Sequence, residues 1–191
     1  EDSLLISDAN LASLKTDEVM QRSYTYTVDR EQGNMVGTLT IHYRNTGKFD
    51  WKTTRYNTYI RVYVPKGSVL LSSSGAQLRE RSKTPGTVET LSELGKTVFA
   101  AFKSIEPGTE DELVLKYRLP ANVAQQWESG SYRLVWQKQP GMVEPKMQLT
   151  VHGPKALATI NGVDNQGKIS KDVARFDGLL DHDRTIVIQV K

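Results

Sequence analysis

Residues 59–75 read YIRVYVPKGSVLLSSSG. Side chains alternate along an extended chain, so Ile60, Val62 and Val64 share one face and Tyr59, Arg61 and Tyr63 share the other. One face is apolar and the other mixed, the pattern of a strand with one side on a core. Pro65-Lys66-Gly67 reads as a turn, and three serines follow a second apolar run. Such a stretch offers a catalytic loop, a binding edge or a strand in a wall.

The same period of two extends in both directions. Tyr24, Tyr26 and Val28 alternate with Thr25 and Thr27. "DREQGN" makes a turn in which Gly33-Asn34 suits positive φ, and Met35, Gly37, Leu39, Ile41 and Tyr43 alternate after it, which predicts a hairpin. "NTGKFDW" is a loop. Residues 76–94 are polar and irregular, with a short strand expected at 87–91. Val98, Ala100 and Phe102 alternate next. Leu113, Leu115, Tyr117 and Leu119 follow, then Tyr132, Leu134 and Trp136, then Met147, Leu149 and Val151, and finally Ile186, Ile188 and Val190. A weak helical turn is expected near Asn122–Trp127, and "DANLASLKTDEVM" reads as irregular.

Strands this closely spaced, each with one apolar face, predict an all-β fold: a two-sheet antiparallel β-sandwich, immunoglobulin-like, with long loops and little helix. The expected organisation is an extension or linker over 1–18, the sandwich over 19–153, and C-terminal strands over 154–191 that join the sandwich or form a small appendage.

The chain has 191 residues, with 25 basic and 22 acidic side chains and a net charge of +3. The two signs are interspersed and no basic run or aromatic–basic platform occurs, so nucleic acid is not an expected partner. The absence of cysteine excludes disulfides, thiolate metal sites and cysteine nucleophiles. No apolar run is long enough to span a bilayer, and no signal peptide is visible. The first residue, Glu1, is not a methionine; the expectation is a piece of a longer protein whose anchor or export signal lies upstream.

No catalytic constellation emerges. There is no G-x-S-x-G elbow, and Ser72-Ser73-Ser74 reads as a polar loop. Asp181-His182-Asp183 holds three metal-ligand types in a row, but neighbours on a strand diverge, so a solvated turn is the expectation. "DNQGKIS" (164–170) resembles a calcium loop only faintly: aligning Gly167 with the fixed glycine puts Gly162 and Val173 where oxygen ligands belong, and a turn over Asn165-Gln166-Gly167 accounts for it. Asp111 and Glu112 read as surface charge rather than as a glycosidase pair. No cofactor or metal is expected. Trp136 is in phase with the core, whereas Trp51 and Trp127 fall in loops, where they stack on a sugar ring or cap the sandwich. The candidate ligand contacts are Trp51, Tyr56, Tyr59, Tyr63 and Trp127.

"SDANLASLKTDEVMQRSYTYTV", "GTLTIHYRNTG", "YIRVYVPKGSVLLSSSG", "ELGKTVFAAF", "LVLKYRLP" and "YRLVWQKQPG" occur in this order. As a set they resemble the C-terminal region of the bacterial "domain of unknown function 4012" proteins, over about Ser7 to Gly141. The resemblance implies the membrane-distal end of a surface protein, extracellular and anchored through an upstream segment. It brings no catalytic residues with it. The expected function is a noncatalytic structural or assembly module of an envelope protein. The alternatives are an envelope glycan-binding module and a hydrolase or transferase of unknown substrate. Cell-envelope glycan or another surface protein is the expected partner. A Lys–Asn cross-link is a further option for which the sequence names no pair.

Overall fold

The computed structural model describes residues 1–12, 14–162 and 167–191. Its strands are β1 (Asp2–Asn10), β2 (Met20–Glu31), β3 (Asn34–Asn45), β4 (Tyr56–Pro65), β5 (Val69–Ser74), β6 (Glu89–Glu93), β7 (Lys96–Ile105), β8 (Glu110–Arg118), β9 (Ser131–Gln137), β10 (Lys146–His152), β11 (Leu157–Asn161), β12 (Lys168–Ser170), β13 (Val173–Leu179) and β14 (Arg184–Val190). A 3-10 turn (Lys15–Val19) precedes β2, and helix α1 (Ala121–Glu128) joins β8 to β9.

The strands form two seven-stranded sheets, ordered β11-β14-β9-β1-β4-β7-β6 and β12-β13-β10-β2-β3-β8-β5. At every rank the two sheets hold consecutive strands: β1 with β2, β4 with β3, β7 with β8, and so on to both edges. The chain therefore lays down one slice of both layers at a time. The expected sandwich is present and larger than an immunoglobulin domain. Most pairs are antiparallel. Each sheet has one parallel pair, β1 with β9 and β2 with β10, at the same rank. These two ladders join an N-terminal half, β1–β8, to a C-terminal half, β9–β14.

β4 behaves as its alternation dictates. Ile60, Val62 and Val64 are fully buried between the sheets, and each such side chain contributes about 1.5–3 kcal/mol through burial. In β7 the inward phase is Phe99, Ala101, Lys103 and Ile105, because Phe99 pairs with Val62 and Ala101 with Ile60. The alternative phase of Val98, Ala100 and Phe102 lies on the outer face. A lysine among the inward positions concealed the true phase.

One boundary needs correction. Residues 1–18 are not an extension: β1 is central in its sheet, hydrogen-bonded to β4 and β9. Of the two alternatives for the C-terminal strands, the structure has the first: β11–β14 belong to the sandwich and form one flank of each sheet. The β2–β3 turn places positive φ at Gln32 (49°) and Gly33 (82°), one residue earlier than expected; Glu31 pairs with Asn34 across it. Asp164–Gln166, on which the calcium-loop and turn readings rest, lie outside the described residues.

Candidate functional site

The segments 11–12, 14–19, 46–55, 75–88, 106–109, 138–145 and 180–183 all lie at one end of the sandwich, because their flanking strands pair there. A buried polar cluster fixes this end. Asp8, on the core side of β1, accepts hydrogen bonds from Arg22 Nε at 2.9 Å, the Tyr43 hydroxyl at 2.8 Å and the Thr58 hydroxyl at 3.1 Å. Its backbone N–H donates to Gln139 Oε1 at 2.8 Å, and Gln139 Nε2 donates to its carbonyl at 3.0 Å. Arg22 Nη2 donates to the Tyr56 hydroxyl at 2.7 Å and pairs with Asp17. The guanidinium lies 5.1 Å from the Tyr56 ring centre, a cation–π distance. Burial disfavours the charge on Arg22, but Asp8, Tyr56 and Asp17 outweigh it and raise the pKa above the ordinary arginine value. Four strands, the 3-10 turn and the β9–β10 loop thus converge on one ion pair.

Beside the cluster, β10 begins only at Lys146, opposite Ser23. The start of β2 has no sheet neighbour on that side, which leaves a groove of about 390 Å³ lined by Gln21, Ser23, His42, Arg44, Glu110 and Lys146 among others. His42 Nε2 lies 3.0 Å from Glu110 Oε2. Arg44, Lys146, Glu110 and Glu144 give the groove both signs of charge, and Met20, Val143 and Leu179 add apolar surface. Among the described residues no group of three metal-ligating side chains occurs. The Asp181-His182-Asp183 carboxylates are engaged in the turn: Asp181 accepts from Arg184 Nη2 at 2.8 Å, and Asp183 accepts the Lys138 N–H at 2.9 Å.

Several large apolar side chains of this end are exposed. Leu11, Leu14, Phe49, Trp51 and Leu78 are exposed, and Trp51 is 86% exposed. Asp50 holds the Trp51 tip by accepting the N–H groups of Lys52 at 2.8 Å and Thr53 at 2.7 Å, an Asx-type turn. Those bonds hold the Asp50 carboxyl below its usual range. Arg55 ties the loops together, with Nε on Glu106 at 2.9 Å and Nη1 on Glu80 at 2.9 Å. Lys52 pairs with Glu18 at 2.7 Å.

The five candidate contact residues are not brought together. Trp51 stands at the loop end. Tyr59 and Tyr63 are half-buried on the outer face of the β4 sheet, with hydroxyls 3.2 Å from Glu89 and 3.1 Å from Glu93 of edge strand β6. Burial and these glutamates raise both phenol pKa values, and Arg61 stacks 5.3 Å from the Tyr59 ring centre. Tyr56 is fully buried in the Asp8 cluster. Trp127 is also buried; it lies in α1 rather than a loop, edge-on to Tyr132 at 5.5 Å. Neither of these two offers a ring face to a ligand from outside.

Sequence reasoning missed Asp2, Asp8, Arg22 and Lys103. Asp2 accepts from the hydroxyls of Tyr26 at 2.8 Å and Tyr132 at 2.5 Å. Lys103 Nζ lies 2.9 Å from Asp111 Oδ2 and 2.6 Å from the Gly75 carbonyl oxygen. Burial lowers the Lys103 pKa against the pull of Asp111. The signal was available in "DSLLISDAN", where Asp2, Leu4, Ile6 and Asp8 alternate in one phase.

No family model matches the chain, and no curated protein matches it. Solved structures resemble it distantly. A candidate nutrient-binding protein of Legionella pneumophila aligns with TM-score 0.48 and 6% identity over 99% of this chain and 70% of its own. Leukotriene A4 hydrolase of Saccharomyces cerevisiae aligns with TM-score 0.48 and 6% identity over 95% of this chain and 31% of its own. An M1 zinc metallopeptidase of Deinococcus radiodurans gives TM-score 0.35 and 9% identity over 95% of this chain and 44% of its own. The chain thus spans less than half the length of these two enzyme chains. Likeness this remote says nothing of activity or ligand.

Proposed function

We propose that the chain is a noncatalytic β-sandwich module with a structural or assembly role in a bacterial envelope protein, displayed outside the cell. The resemblance to the "domain of unknown function 4012" region belongs to this proposal, as does an anchor upstream. The supporting observation is how the interior ionisable groups are used. Asp8 and Arg22 are hydrogen-bonded across β1, β2, β3 and β4. Lys103 and Asp111 link the two sheets. Side chains committed to holding strands together serve a wall. Catalytic groups instead converge on a cavity with a free nucleophile or base.

A second reading, recognition of envelope glycan, is favoured by Tyr59 and Tyr63 sharing one sheet face, with Glu89 and Glu93 beside their hydroxyls. Stacking rings flanked by carboxylates suit a sugar. The test is to incubate the purified chain with isolated peptidoglycan and envelope polysaccharide, following both retention and release of soluble fragments. The structural reading expects neither. Saturable retention lost in Tyr63→Ala supports the second reading, and sustained release of fragments overturns both.

A further inference from the structure

The exposed apolar residues are unevenly distributed. Val69, Leu71 and Leu91 lie on the edge strands and Leu94 in the β6–β7 turn, whereas Leu11, Phe49, Trp51 and Leu78 crown the loop end of the N-terminal half. These four come from three loops that are cross-tied. Lys15 N–H donates to the Lys52 carbonyl at 3.0 Å, and Leu11 N–H to the Asn57 carbonyl at 2.8 Å. Arg55 bridges to Glu80. The tips therefore stand on a fastened base.

Charge is sorted around them. In and beside the tip loops the acids are engaged: Asp17 on Arg22, Glu18 on Lys52, Glu80 and Glu106 on Arg55, and Asp50 in its own turn, with Glu80 also 3.7 Å from Arg81. Lys15, Arg79, Arg81 and Lys83 are exposed. Apolar tips, a tryptophan at the most exposed position and a collar of cations match the layers of an anionic bilayer surface. Leucine and phenylalanine enter the acyl boundary, tryptophan sits at headgroup level, and lysine and arginine meet the phosphates. A glycan gives leucine tips nothing to bury into, and a neutral protein patch gives the cations nothing to pair with. We propose that this end is a membrane-docking face that seats on anionic phospholipid through Leu11, Phe49, Trp51 and Leu78, with Lys15, Arg79, Arg81 and Lys83 around them.

Two of the three tryptophans, Trp127 and Trp136, are buried, so a change in emission on binding reports Trp51. The purified chain is mixed with phosphatidylglycerol–phosphatidylcholine vesicles and with phosphatidylcholine vesicles. Emission and co-sedimentation are followed, and the salt concentration is then raised. The expected result is a blue shift and sedimentation with the anionic vesicles, both weakened by salt. Arg79→Ala and Lys83→Ala each lower the partition coefficient roughly fivefold. Trp51→Ala removes the shift and weakens sedimentation while the thermal melt stays in place. Emission and sedimentation unchanged by anionic vesicles at millimolar lipid overturn the proposal. A concentration-dependent dimer abolished by Trp51→Ala also overturns it, assigning the face to a second copy of the chain.

Discussion

Asp2 and Asp8 face the same side of β1 from its two ends, and only Asp8 is hydrogen-bonded to a cationic side chain. Asp8 is bonded to Arg22 Nε at 2.9 Å. Asp2 is bonded to two phenols and to the Ser3 N–H at 2.7 Å. Burial lifts the Asp2 pKa from 3.8 to about 6, against the lowering effects of Tyr132, Tyr26, the Ser3 N–H and the N-terminal ammonium.

That shift gives the stability a pH slope. The folded pKa lies above the unfolded value, so the folded state binds the proton more tightly. The contribution is complete below about pH 4 and is lost as pH rises through about 6, amounting to on the order of 3 kcal/mol. Urea melts from pH 4 to 7.5 are expected to show this fall, superposed on other groups. Asp2→Asn, which keeps the shape and removes the titration, is expected to flatten it; an unchanged slope sinks the assignment.

Removing one member of the Asp8–Arg22 pair leaves a buried charge alone. Asp8→Ala and Arg22→Met are each expected to cost about 3–5 kcal/mol, and the double variant less than their sum. Chemical denaturation of the three variants measures the coupling.

Asp111→Ala is expected to destabilise by about 3 kcal/mol, because the Lys103 ammonium then has only the Gly75 carbonyl. Lys103→Met is expected to cost less, since its stem already lies in the core and Asp111 reaches solvent. Equal losses would argue against this account of the link between the sheets.

Gly37 has no room for a methyl group. An added Cβ meets the Tyr26 hydroxyl oxygen at 2.7 Å and Tyr117 Cε2 at 3.1 Å, and Tyr26 is held by Asp2. Gly37→Ala is expected to cost about 1–3 kcal/mol and to shift the near-ultraviolet circular dichroism of the tyrosines.

The two loop-assigned tryptophans should separate cleanly. Trp127→Ala empties a core site and is expected to cost about 3–5 kcal/mol. Trp51→Ala is expected to stay within about 0.5 kcal/mol of the parent. Thermal melts distinguish them directly.

The alternation in β4 was legible because the branched residues Ile60, Val62 and Val64 occupied successive inward positions. β7 was harder, with Lys103 inward and Val98 outward, and so was β1, whose inward positions include two aspartates. Apolar periodicity reports which face is covered but not which strand lies alongside, so the parallel pairings of β1 with β9 and β2 with β10 left no local trace. The helical turn expected over Asn122–Trp127 is α1, but Trp127 was assigned to a loop, although its spacing from Val123 puts both on one buried helix face. For the candidate site, exposure of Trp51 was consistent with its loop position. Burial of Tyr56 follows from its phase with Ile60 along β4.

The slice-by-slice layout has a kinetic consequence. Within β1–β8, β2–β3 and β6–β7 are local hairpins, and every other pairing has both its strands once β8 has emerged, so this half can assemble before β9 is made. The flank formed by β1 and β2 finds its partners only when β9 and β10 arrive, with Asp2 reaching Leu134. Until then two adjacent strand edges stand open in register with each other, a template for pairing with a neighbouring nascent chain. Because both layers close along the same line, a slip in one would force the same slip in the other. The late event is therefore a single two-layer closure, and it should set the folding rate.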